Sequence, residues 1–226
     1  GVVIEWTKDC SGCRRRNSEQ SFVHSMTTPE IYRLETPSVS LDEILRYMGA
    51  KQAAEPVRTL AKEALEEIRN AAECRACLTR LPLSVAGAEI VAGSLTLHSA
   101  DLAKNLNGCT AVFVFAATIG HAADREIAKA SLLSPAKALA LDAAAAALIE
   151  AVCDTVCAML ASREKACLRP RFSPGYGDLP LSAQKSIAAL LRTAHLLSAS
   201  LSPDCIFRPA KTVTAFAGIL PRGNQT

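Results

Sequence analysis

Apolar positions along the chain recur at two periods, and the period switches several times between residues 40 and 220. Ser40 with Glu43 three positions on reads as a helix start, running to Met48 and stopping at Gly49. A second helix is expected over about 55–73, with Ala61, Leu65 and Ile68 on one face and Lys62, Glu66, Glu67 and Arg69 mostly on the other. From 78 to 98 the period shortens to two. Leu81, Leu83, Val85, then Ile90, Val91, and Leu95, Leu97 form short runs broken by Pro82, Gly87 and Gly93, a strand meander. One or two helical turns around 102–106 close at Gly108. The unbroken apolar run Ala111 to Ala117 is short, β-branched and aromatic, as in a central strand buried on both faces, and Thr118-Ile119-Gly120 ends it.

Residues 121–162 read as helical: one helix about 122–132, a break at Ser134-Pro135, then a long alanine-rich helix from about 136 to 162. Ser182 is the expected cap of a helix reaching about 197, and Thr212 to Ile219 alternates as a last strand. This order of elements predicts an α+β fold with a mostly antiparallel, twisted sheet and packed helices. Neither a GxGxxG nor a Walker motif is present. Residues 1–25 show little periodicity and read as a tag-like or misplaced tail ahead of a plausible start at Met26. Residues 26–75 form an N-terminal helical region that packs with an α+β core over 76–226 as one compact domain.

Composition narrows the function classes. Hydrophobic residues make up 50% of the 226 and aromatics only 4%, which favours a helix-rich core packed closely through alanine. The net charge is +3 and the basic residues are scattered, which argues against a nucleic-acid face. The most apolar stretch, about 138–153, contains Asp142 and Glu150. A central Asp costs about 2.5–3.5 kcal/mol on insertion, so no membrane span is expected. Nine cysteines without a secretion signal suggest reduced thiols and a cytoplasmic protein.

Cys10-Ser11-Gly12-Cys13 and Cys74-Arg75-Ala76-Cys77 are CxxC pairs, and together they could supply a four-thiolate zinc site. A metal- or redox-responsive binding protein built on them is the alternative function. Cys153 and Cys157 read as small core hydrophobes. His24, His98, His121 and His195 show no metal spacing; His121 stands out because it follows the central strand. Glu150 and Asp154 lie one turn apart on the long helix. They either line a polar pocket or form a solvated stripe.

The run Arg171-Phe172-Ser173-Pro174-Gly175-Tyr176-Gly177-Asp178-Leu179 carries the most chemistry. Pro presets φ at the second turn position and Gly accepts positive φ at the third. An arginine, exposed backbone and an aromatic ring before a helix start suit a small anionic or zwitterionic ligand. The alternative is a plain helix–helix connection.

With its continuation Pro180-Leu181-Ser182-Ala183-Gln184, this run resembles the signature of the cobalamin-dependent methionine synthase activation domain, in its short stand-alone form. Ser99 to Leu106, Thr118-Ile119-Gly120, Leu141-Asp142-Ala143, Glu150 to Asp154 and Pro209 to Ala215 resemble it in the same order, over about residues 40–220. The resemblance implies the activation-domain fold and binding of S-adenosylmethionine. It also implies docking on a corrinoid-binding methionine synthase module, with cobalamin on that partner and a flavodoxin-like reductant. The chain would then act as a reactivation component of a methyltransferase rather than as a complete enzyme. By position, Arg171 would pair with the ligand carboxylate, backbone at Ser173 and Gly175 would bind its body, and Tyr176 would pack against it. Glu150 or Asp154 would face its amino or sulfonium side. Phe172 and Ser173 stand where full-length relatives have Pro and Ala, Ala146 where they tend to carry an acid, and Phe216-Ala217 where they place a Trp-Tyr pair.

Overall fold

The computed structural model describes residues 28–221. Cys10, Cys13, His24 and the tail-like segment therefore lie outside the described residues. The described chain opens with strand β1 (Glu30–Arg33), followed by helices α1 (Leu41–Tyr47) and α2 (Glu55–Ala71). Ser40 Oγ accepts the Glu43 amide at 3.2 Å, the capping bond expected from the sequence. Next come strands β2 (Arg75–Ala86), β3 (Glu89–Ala92) and β4 (Leu95–His98), helix α3 (Ala100–Asn105) and strand β5 (Ala111–Thr118). Helices α4 (His121–Leu133) and α5 (Pro135–Glu164) meet at Ser134, whose hydroxyl accepts the Lys137 amide at 3.3 Å. Helices α6 (Gln184–Leu191) and α7 (Thr193–Leu196), the two-residue strands β6 (Ser200–Leu201) and β7 (Phe207–Arg208), and strand β8 (Thr212–Ile219) complete the order.

The main sheet is antiparallel throughout, in the order β4-β3-β2-β5-β8. One edge of β2 pairs with β1 over residues 75–78 and with β3 over 83–86, while its other edge pairs with β5. Alternation along β5 builds two cores. Phe113, Phe115 and Ala117 pack in the cluster that holds α2, α4 and α5, whereas Val112, Val114 and Ala116 pack in the cluster that holds α3 and α6. Every residue of β5 is buried, so the unbroken apolar run is the strand expected of it.

Helix α5 is long and apolar enough to cross a membrane by length and composition, but twelve of its residues, from Ala140 to Leu160, are buried in the cluster on the β5 sheet. Along its middle, Asp142, Glu150 and Asp154, with Ala146 between, fall at four-residue steps and so on one stripe.

Three expectations are corrected. The region 26–75 is not purely helical: β1 pairs with β2, and it escapes a pattern reading because three of its four side chains are exposed. The helix expected over 182–197 is split, because Arg192 adopts a left-handed conformation (φ 52°) between α6 and α7. Ser182 does not cap it; Ser182 lies inside a 3-10 turn, Leu181–Ala183, that precedes α6. The β6–β7 hairpin lacks a period-two run long enough to announce it.

Candidate functional site

The segment after α5 returns along the free edge of β8. Arg169 donates its amide to Gly218 O at 2.8 Å, and Phe172 and Phe216 exchange backbone bonds at 3.0 and 2.8 Å. This pairing covers the edge from Phe216 onward. Thr214 shares the outward-facing register of Phe216 two residues away. Thr212–Thr214, before the covered part, lines a cavity of about 320 Å³. Glu150 of α5, Arg171, Ser173, Pro174 and Tyr176 of the loop, and Gln184 at the start of α6 form its other walls.

The loop has the turn its sequence predicts. Tyr176 N donates to Ser173 O at 3.1 Å and Gly175 takes φ 91°, as the third position of a type II turn requires. Gly175 N also donates to Leu179 O at 2.9 Å, which closes the loop on itself. Tyr176 stands 66% exposed at the rim, free to cover a ligand.

A second anchor ties the loop to α3. The Asp178 carboxylate accepts from the Ser99 hydroxyl, from Ala100 N at 2.7 Å and from Asp101 N at 3.2 Å. Asp101 reciprocates, accepting Asp178 N at 3.2 Å. The Ser99 hydroxyl bond and then the Ala100 amide hold the Asp178 carboxyl below its ordinary pKa. Gly177 sits between the two acids at φ 52°, where a Cβ would stand 2.3 Å from Asp101 Oδ2. Glycine is the residue that fits there.

The structure brings Arg171, Glu150 and Asp154 together. Arg171 Nη2 donates to Glu150 Oε2 and Nη1 to Asp154 Oδ1, each at 2.7 Å. The two carboxylates are therefore neither a bare solvated stripe nor an empty pocket wall; one guanidinium spans both. Asp142, two turns before Glu150, pairs with Lys211 at 2.9 Å. The Arg171 side chain is 22% exposed and that of Asp154 is 77% exposed, so the Asp154 bond is the one water competes for most. One cation and two carboxylates leave the cluster net negative, with a guanidinium fork beside free acceptor oxygens. Such a cluster can hold both ends of a zwitterion.

Other sequence candidates lie elsewhere. Cys74 is buried in the cluster under α2 and α5, and Cys77 in the cluster on the opposite face of the sheet. A three-residue offset at a strand start sends them to opposite faces, so they do not converge on one ion. Burial pushes the Cys77 thiol up to about 12. Among the described residues no group of three or more His, Cys, Asp or Glu is placed to hold a metal. Cys153 is fully buried, with its thiol pushed up to about 12 by burial, and packs as a small hydrophobe. His121 Nε2 lies 2.9 Å from Ser198 O, away from the cavity lining. Phe216 and Ala217 are buried on opposite faces and neither lines the cavity, so the departures there belong to the core. Outside the Arg171–Asp178 loop, Gln184, Thr212, Val213 and Thr214 are the lining residues that sequence reasoning did not single out as site residues. The first was visible as the end of the loop signature, and the strand residues lay within the Pro209–Ala215 segment of the resemblance, where nothing marked them as cavity-facing.

An antiparallel sheet with helices on both faces and a cavity at one strand edge defines an α+β domain. It has the fold of the MetH reactivation domain. A solved structure described as "Crystal Structure of the MetH Reactivation Domain bound to AdoHcy" is similar over 88% of this chain and 80% of that chain, with a TM-score of 0.58 and 14% sequence identity. No protein-family model matches the chain, and no curated protein matches it.

Proposed function

We propose that the chain binds S-adenosylmethionine in the cavity beside Arg171 and serves as an accessory component in the reductive reactivation of a corrinoid methyltransferase. The observation that carries this reading is the guanidinium of Arg171 spanning Glu150 and Asp154 at the mouth of a cavity of about 320 Å³. That volume falls at the lower end of the range of small-molecule sites. The fold supports it, because its solved counterpart holds AdoHcy.

The residues present fit such a ligand. The ligand carboxylate replaces Asp154 on the Arg171 fork, and the freed Asp154, with Glu150, accepts from the ligand ammonium. The net negative cluster suits a sulfonium compound with one net positive charge. Tyr176 covers the ligand from the rim, and the type II turn offers backbone at Ser173 and Gly175. Bound there, S-adenosylmethionine supplies the methyl group that restores a partner's corrinoid after one-electron reduction. The partner is a corrinoid-binding methionine synthase module, and a flavodoxin-like protein is the electron donor.

Calorimetry with S-adenosylmethionine and AdoHcy tests the reading. Binding is expected below millimolar concentration. Arg171→Ala weakens it by about 1.5–3 kcal/mol, the worth of a charged hydrogen bond. Folded protein that shows no heat at millimolar ligand would sink the proposal.

A further inference from the structure

Gln184 is the least satisfied polar group of the cavity wall. Its Oε1 is shielded from water and accepts no hydrogen bond from any described residue, while the side chain lines the same cavity as Arg171 and Tyr176. Buried polar atoms are almost always paired, so an Oε1 held away from water without a partner is a costly placement that turning the amide toward the cavity would relieve. The residue sits at the start of α6, directly after the 3-10 turn Leu181–Ala183, so its backbone is held by helix on one side and the loop on the other. Rotation about its terminal torsion is soft, so the amide can turn its oxygen or its nitrogen into the cavity.

We infer that Gln184 is a specificity residue for the heterocyclic end of the ligand, and that it selects a 6-aminopurine. This rests on the proposed S-adenosyl ligand and deepens it. The charged trio Arg171, Glu150 and Asp154 takes the amino-acid end. Gln184 belongs to a different wall, contributed by α6. A carboxamide offers one acceptor and one donor side by side. That pattern matches the exocyclic amino group of adenine and the ring nitrogen next to it, the same pairing by which Gln reads adenine in nucleic acids. A purine lacking the 6-amino group has no donor for Oε1 and leaves it unpaired.

The test compares two ligands on two proteins. AdoHcy and its analogue with hydrogen in place of the 6-amino group are titrated calorimetrically into the wild-type chain and into Gln184→Leu. Wild type is expected to prefer AdoHcy on the order of tenfold. Gln184→Leu should abolish the preference: AdoHcy loses both carboxamide bonds and the analogue only the one to its ring nitrogen, so the two affinities converge. A merely structural role would weaken both ligands together and preserve their ratio, and that result would overturn the inference. Equal affinity of the two ligands for wild type overturns it without any variant, while the S-adenosyl reading stands. If AdoHcy itself fails to bind, both fall.

Discussion

Strands β5 and β8 lie side by side and each has eight residues, yet their surroundings differ. β5 is paired on both edges and buried on both faces, so its backbone groups are all spent on neighbours. β8 has β5 on one edge and, among the described residues, only the 167–172 segment on the other, which covers it from Phe216 onward. The chain fills the first strand with alanine, valine and phenylalanine and begins the second with Thr212-Val213-Thr214. One strand contributes stability. The other leaves a half-open edge where Arg171, Glu150 and Gln184 gather.

Three perturbations sharpen that contrast. Phe115 is fully buried, and Phe115→Ala should cost about 3–5 kcal/mol in chemical denaturation. The ligand affinity of the molecules that remain folded should be unchanged. A large loss of affinity would mean that the sealed strand and the open edge are not separate in role. Gly177→Ala should cost less, about 1–3 kcal/mol, from left-handed strain and the encounter with Asp101. Its effect should fall on ligand affinity as well, because the loop carries Ser173 and Tyr176; unchanged affinity would show that the loop conformation is not what the ligand reads.

The smallest effect is one of pH. The Asp178 carboxyl is held below its ordinary pKa, so its contribution is fully present above the ordinary aspartate value and is lost as the pH falls through its lower folded value. Thermal unfolding should therefore separate wild type from Asp178→Asn most at neutral pH and least in acid. A gap that stays constant into acid would remove Asp178 as the titrating clamp.

Much of the fold was legible because its signals are local. The period-two meander, the unbroken run of β5, the Ser40 cap, the break at Ser134-Pro135 and the Pro174-Gly175 turn each depend on residues close in sequence. β1 was not legible, because four mostly exposed residues carry no period; only β2 across the sheet makes them a strand. The split at Arg192 was hidden for a similar reason, since a non-glycine residue in left-handed conformation has no sequence mark. In the site, Arg171 and the two carboxylates were all nominated. That one guanidinium already holds both acids needed the approach of two segments about 20 residues apart.

The sequence by itself determined the helical and strand periods, the turn that presents Tyr176 and the types of group available for binding. All follow from bonds and burial within a few residues. Tertiary structure decided which of those groups meet. It sent Cys74 and Cys77 to opposite sheet faces, set Gln184 with an unpaired oxygen in the cavity wall, and left Thr212–Thr214 uncovered by any described segment. The reason is that pairing a sheet edge and closing a cavity depend on distant segments, and no local pattern records where those segments stop.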